Sequence, residues 1–408
     1  MENKRVRKVV ITGAGAVSPY GLGVAALEKG LVNAENCILP VPELLNMPMI
    51  RTKVAARVPE ADYSYIPRRE RRSMSRMSLY AYTAAKEALK RAGYETAPDN
   101  LGFFMGSTLN SISVWLEIAG QCNAGHAELI KTSDFLQIMN HSPQATVAQA
   151  LKITGMGTGA CAACATGLMN IGLAYMAVRS GALTQALCGG TEEYHPLFSA
   201  CFDIMQATST NFNDRPELSS RPFDQDRTGL VCSEGCGLLF VESEESAQAR
   251  GAEILAEIAG FAANAETGNI AHPSRQTLAA CMRLALQDAQ MTPDDVDFLN
   301  AHATGTPAGD AAESHAAADV FGSQLKVNSF KGHLGHTMGA SGALELVGSL
   351  RMMQSGTALP TKNLQNPGAD CAPLNYVRVP QTAPINILMK NAFAIGGNNC
   401  SLLLRRPL

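Results

Sequence analysis

The sequence predicts an α/β protein made of two related βα halves, the first over residues 1–250 and the second over 251–408. Three observations predict it. Short aliphatic and β-branched runs alternate along the chain with segments of helical spacing. The succession of elements begins afresh near Ala252. No low-complexity or linker stretch separates the two parts, so a shared core with a cleft between halves is expected. At 408 residues and 46% hydrophobic content the chain buries a large core.

In chain order, Val9 to Thr12 is expected as a buried strand that ends in a turn at Gly13 and Gly15. Leu79 to Ala92 has apolar and small residues at helical spacing, closed by Lys90, Arg91 and Gly93. Leu101 to Met105 is the next strand. The run from Cys164 to Val178 is apolar on every side, which places that helix inside the domain. Gln185–Cys188 and Cys236–Val241 are strands. In the second half Ile254–Gly260 is a strand, Gln276–Gln290 an amphipathic helix, and Val296–Asn300 a strand running into His302. Gly335-His336-Thr-Met-Gly339 begins a helix whose first turns are Gly, Ala and Ser, suited to close packing. Asn391 to Asn399 joins two strands through a glycine turn that can bring a backbone N–H near a reacting carbonyl.

Charge and composition exclude several classes. A net charge of −3 gives no basic field for nucleic acid, and no stretch approaches the ~18 apolar residues of a membrane span. A soluble protein is expected. The polar segment 1–8 leads into a strand without an apolar leader, and eleven cysteines, an odd number, sit scattered in apolar stretches as reduced thiols do. Both features predict a cytoplasmic location.

The chemistry gathers at one thiol and two imidazoles. A helix N-terminus carries about half a positive charge and unpaired N–H groups. Cys164, placed there, is expected to have a lowered pKa and an oxyanion site at hand. Cys161 and Cys164 also have the spacing of a redox or zinc pair, but only Cys232 and Cys236 approach a second pair and the flanks are apolar. Cys164 heads the helix and is the stronger nucleophile candidate. His302, after a strand, is either a ligand-facing residue or a hydrogen-bonded core histidine. His336, in its small-residue setting, favours the first, whereas His333 and His315 read as ordinary. Lys331 and Glu345 bracket His336 and form either a structural ion pair or an orienting one. Together these residues suit acyl transfer. Two weaker patterns point elsewhere: Gly13-Ala-Gly15 opens like a dinucleotide fingerprint but has Ser18 for the third glycine, and Tyr82 and Lys86 have reductase spacing too close to the first strand.

The ordered blocks Val10 to Ser18, Ala163-Cys164-Ala-Thr-Gly167, Arg221 to Gly229, His302 to Asp310, Lys331 to Gly342 and Asn391 to Asn399 resemble the β-ketoacyl-[acyl-carrier-protein] synthases of the elongating, Cys-His-His kind, a group of the thiolase-fold condensing enzymes. The resemblance spans essentially the whole chain and implies a layered α-β-α-β-α body. It implies that Cys164 takes an acyl chain from a carrier thioester. His302 and His336 then assist malonyl decarboxylation as neutral Nε2–H donors, oriented by Lys331 and Glu345. It further implies an oxyanion hole from the backbone N–H groups of Cys164 and Ile395, a pantetheine site at Thr304 and Thr306, a gate at Phe393 and Ile395, and an acyl pocket near Thr108, Leu109, Asn110 and Ile112. The basic run Arg68, Arg69, Arg71, Arg72 matches the docking surface for an acidic acyl carrier protein or is a solvated charged face. A homodimer is implied, with a heterodimer with a chain-length-factor-like subunit as the alternative. Neither metal nor diffusible cofactor is expected, since phosphopantetheine belongs to the carrier. The sequence departs from many relatives at the gate, where Phe393-Ala-Ile395-Gly-Gly stands for Phe-Gly-Phe-Gly-Gly. This stiffer gate predicts a specialised polyene or polyketide substrate. Two rival functions are a non-catalytic chain-length-factor-like partner, which usually lacks the cysteine, and a plain thioester hydrolase.

Overall fold

The computed structural model describes residues 6–269, 272–382 and 384–407; the polar segment 1–5 lies outside them. One large mixed sheet runs through the molecule. From one edge its main path is Asn375–Tyr376, Lys326–Asn328, Phe298–Asn300, Ile387–Phe393, Asn398–Arg405, Ala256–Ala265, Val9–Ser18, Gly235–Ser243, Gln185–Glu192, Gly102–Gly106 and Gly157–Thr158. Val9–Ser18 pairs with Gly235–Ser243 from Val9 to Val17 but with Ala256–Ala265 only through Val9, Val10 and Ile11. The two halves therefore join along a short seam.

Within each half the wiring is the same. Numbering five strands by chain order, from Val9–Ser18 in the first half and from Ala256–Ala265 in the second, both give the sheet order 1-5-4-2-3. Both also pair antiparallel, antiparallel, parallel and parallel across that order. Parallel neighbours need crossovers, and in each half one crossover is a buried helix: Thr166–Arg179 in the first, Ser341–Ser355 in the second. The second of these is buried along nearly its whole length, as its small and aliphatic residues demand.

These two helices meet near their N-termini. A Cβ on Gly167 would lie 2.9 Å from the Gly339 oxygen and 3.1 Å from the Ala343 nitrogen, and one on Gly342 would lie 2.9 Å from Leu168 Cβ. Glycine at both positions lets the backbones touch. That contact sets the geometry of the functional centre, because Cys164 lies two residues before one helix and His336 five residues before the other.

Several expectations change in detail. The first strand does not turn at its glycines; it runs straight through them as Val9–Ser18. Packing is the reason: a Cβ at Gly13 would sit 2.2 Å from the Ala88 oxygen and one at Gly15 1.9 Å from the Ala84 oxygen, so the glycines bring helix Arg76–Arg91 onto the strand. Cys164 is not in the first turn of the helix but in the 3-10 turn Ala163–Ala165 just before it. His336 lies in a loop between Lys331–Leu334 and the 3-10 turn Met338–Ala340.

Candidate active site

Cys164, His302, His336, Thr304, Thr306, Phe393 and Ile395 all line one cavity of about 600 Å³. The first half supplies the thiol and the second half the rings. Ala163, just before the thiol, has φ +46°, and Met338, two residues after His336, has φ +48°. Left-handed backbone at non-glycine residues is strained, and here it falls on the first residue of the 3-10 turn that leads into each buried helix.

The two imidazoles face each other edge to face, with ring centroids 5.3 Å apart, and Phe393 lies 6.4 Å from His302. The Met338 N–H donates to His336 Nδ1 at 3.3 Å, which leaves the proton of a neutral ring on Nε2. That Nε2 is buried with no partner among the described residues, so its hydrogen is available to a ligand. Burial first, then the Lys331 charge, holds the pKa of both rings well below the ordinary imidazole range. Both are neutral donors near pH 7.

The thiol departs from expectation. Burial pushes Cys164 up to about 11, although Lys331 and the Ile395 N–H, which bonds its sulfur, pull the other way. Complete desolvation of the thiolate outweighs the short helix end, so the expected lowering of its pKa is not found in the resting site. Attack on an acyl group then has to be coupled to removal of the thiol proton.

Lys331 Nζ donates to Glu345 Oε1 at 2.6 Å, as does Ser341 Oγ at 2.6 Å. Burial alone would raise the Glu345 carboxyl, but Lys331 and Lys390 hold it down at about 2. Lys390 and Glu313 were not singled out in the sequence. The Lys390 ammonium bonds the other Glu345 oxygen. The Glu313 carboxylate accepts the N–H groups of His302 at 2.8 Å and Ala303 at 2.7 Å, and thus fixes the loop that carries the ring. Asp310 does the same for Thr304 and Gly305 at 3.0 and 3.1 Å. The Thr304 and Thr306 hydroxyls are 3.0 Å apart on the cavity wall. Also unforeseen on that wall are Phe202, Met205, Glu266 and His272. Phe202 lies in the helix Pro196–Ile204 and the other three just beyond regular elements, and none carries a local sequence signal.

The remaining expected site residues lie elsewhere. Thr108, Leu109, Asn110 and Ile112 do not line the cavity. Ile112 shares the buried apolar cluster of Cys164, Leu109 is exposed, and the Asn110 amide donates to the Ile138 oxygen at 3.0 Å. Arg68, Arg69 and Arg72 are exposed and Arg71 half-buried, on and just after the short helix Arg68–Arg71, outside the cavity lining. His333 is a core histidine whose Nε2 lies 2.9 Å from the Pro360 oxygen, while its Nδ1 is buried without a partner among the described residues. All eleven cysteines are free, and no group of metal-ligating side chains forms among the described residues. No described helix is long and apolar enough to cross a membrane.

Comparison with known proteins agrees with this geometry. The profile of the Beta-ketoacyl synthase N-terminal domain matches residues 6–247 and that of the C-terminal domain residues 255–365. The 3-oxoacyl-[acyl-carrier-protein] synthase 2 of Rhizobium meliloti is 34% identical, over 98% of this chain and 99% of that protein. The crystal structure of a beta-ketoacyl synthase from Burkholderia phymatum is 36% identical with a TM-score of 0.95, covering 98% of this chain and all of that one. The ishigamide ketosynthase/chain length factor structure is 30% identical with a TM-score of 0.90 over the same shares.

Proposed function

The chain belongs to the β-ketoacyl synthase family, and from that premise we propose that it joins a carrier-bound acyl group to malonyl-acyl-carrier protein through a covalent acyl-Cys164. The observation that carries this is one buried cavity holding a thiol, two neutral imidazoles and a backbone N–H bonded to the sulfur.

In the first half-reaction the Cys164 sulfur attacks the acyl thioester carbonyl as the pantetheine sulfur departs, and the thiol proton is passed to that departing sulfur. The N–H groups of Cys164 and Ile395 hold the tetrahedral oxyanion. The Thr304 and Thr306 hydroxyls bond the pantetheine arm. In the second, malonyl thioester loses CO₂, and the electron pair of the broken C–C bond forms an enolate whose oxygen is held by the Nε2–H of His336 and by His302. The enolate carbon attacks acyl-Cys164, and collapse expels the thiolate, which regains a proton. This chemistry uses no metal and no cofactor of the protein's own.

The acyl pocket lies near Thr108, Leu109, Asn110 and Ile112, of which Ile112 belongs to the same buried apolar cluster as Cys164. Ile395 at the gate, with the likeness to a type II polyketide ketosynthase bound to its hexaketide, supports a specialised polyene or polyketide chain as donor. Arg68, Arg69, Arg71 and Arg72 receive the acidic carrier, and the exposure of Arg68, Arg69 and Arg72 supports this. The protein works in the cytoplasm as a dimer. Trp115, Leu116, Phe135 and Leu136 are large apolar side chains left exposed in the segment that follows Asn110, and a second copy covers them. Intact mass measurement after incubation with a panel of acyl carriers tests the covalent step. One acyl group per chain is expected, absent in Cys164→Ala; a panel that leaves the wild-type mass unchanged contradicts it.

A further inference from the structure

The buried Lys390 has no task in the chemistry above, and its surroundings are those of a working group. It sits on strand Ile387–Phe393, three residues before Phe393 of the gate and in register with Asn300, two residues before His302. Its side chain is wholly buried. The ammonium donates to the Ala301 oxygen at 3.2 Å and pairs with Glu345. The next residue, Asn391, donates its amide to Glu313 at 3.1 Å. Consecutive residues of one strand thus bond two buried carboxylates of the centre: Glu345, which anchors Lys331 and the helix after His336, and Glu313, which carries the His302 main chain.

We infer that Lys390 is a positioning residue for decarboxylation, an internal cation that balances Glu345 and Glu313 and keeps His302 and His336 neutral and in place. The charged and titratable groups around it are Glu345 on Ser341–Ser355, Lys331 on Lys331–Leu334, Glu313 on Pro307–Phe321, and the two histidines, whose pKa values it helps to depress. Two carboxylates against one lysine would leave a net negative charge beneath the rings. Such a charge favours imidazolium, which lacks the neutral form the reaction uses. The second lysine cancels it. Burial lowers the Lys390 pKa to about 8, against the pull of Glu345, so the cation is lost as pH rises through that value.

The inference rests on the proposed roles of His302 and His336, so their alanine variants run beside it in one assay, the decarboxylation of malonyl-acyl-carrier protein against pH. Lys390→Met is expected to lower kcat by about tenfold or more with KM little changed. Its acid limb should move up by roughly one pH unit, because imidazoles relieved of a nearby cation protonate more readily. Lys390→Arg should keep the wild-type acid limb. A Lys390→Met profile of wild-type shape, merely scaled down, overturns the inference. Where that variant does not fold, the wild type is run beside Glu192→Gln, which removes the other buried group with a pKa of about 8: a rate falling with a midpoint near pH 8 in both supports the role, and a fall that disappears in Glu192→Gln, or a flat rate from pH 7 to 9, rejects it. Full activity in His302→Ala and His336→Ala would instead sink the underlying assignment.

Discussion

A thiol with a pKa near 11 is a poor nucleophile at neutral pH, and yet this one is placed where chemistry has to start. The site compensates with fixed dipoles: the Ile395 N–H at the sulfur and neutral imidazoles whose protonated forms are strongly disfavoured. Replacing Ile395 by Phe leaves the backbone donor intact and changes only the gate. The ratio of turnover on unsaturated to saturated acyl carriers should therefore fall in Ile395→Phe, and identical profiles would remove the gate from the account. Glu345 gives a stability prediction. Its folded pKa of about 2 lies below the ordinary 4.5, so its contribution is present above pH 4.5 and is lost as pH falls through 2. Glu345→Gln leaves two buried lysines without their anion. It should cost roughly 3–5 kcal/mol at pH 7 and progressively less toward pH 2, read by urea unfolding. Cys164, His302, His336, Lys331 and Glu345 were all legible because each stands in a distinctive local run. Lys390 and Glu313 were not. A lysine in a strand and a glutamate in a helix give no hint of burial until the sheet brings them together.

Among elements, the strands and long helices followed from hydrophobic period, and their observed bounds differ from the expected ones by a few residues at the ends. The glycines were misjudged in one place for a physical reason. Gly13 and Gly15 look like a turn, but a glycine also admits a helix against a strand, and only the partner, Ala84 and Ala88, decides between the two. The contact between the two buried helices is the element-level claim with most at stake. Gly342→Ala forces a Cβ to within 3.0 Å of Leu168, so it should cost about 1–3 kcal/mol. Because the same contact sets His336 against Cys164, condensation should fall more than the stability loss alone explains at temperatures where the variant is fully folded. Unchanged turnover in a folded Gly342→Ala would show that the crossing does not govern the centre. Glu192, the last residue of strand Gln185–Glu192, ties that crossing to the first half by accepting the Thr108 and Gly339 N–H groups at 2.8 and 3.1 Å. Burial raises its pKa from the ordinary 4.5 to about 8, so the stability its protonated form supplies is full below pH 4.5 and is lost as pH rises from there through 8. Glu192→Gln should match the wild-type Tm near pH 4 and exceed it by a growing margin from pH 6 to pH 8.

At the scale of the molecule, duplication explains why one chain needs two unlike halves. The same five-strand wiring recurs, and each copy delivers the start of its buried helix to the same place, with a thiol on one and an imidazole on the other. That architecture was readable as a repeat of element order, while the strand order inside each half was not, since hydrophobic runs say where strands are and not which ones pair. Carrier docking is a property of the outer surface. Arg68→Glu with Arg69→Glu should raise KM for the carrier substrate several-fold and leave a small thioester unaffected, with the difference shrinking at high salt. An unchanged carrier KM would make these arginines a solvated face.

The most direct test of the whole account is product analysis with ¹³C-labelled malonyl-acyl-carrier protein and an accepted acyl carrier. The account predicts one CO₂ released for each β-ketoacyl carrier formed, with the two added carbons drawn from malonate and no product from Cys164→Ala. Release of free acid without a new carbon–carbon bond, or full condensation by Cys164→Ala, would contradict it.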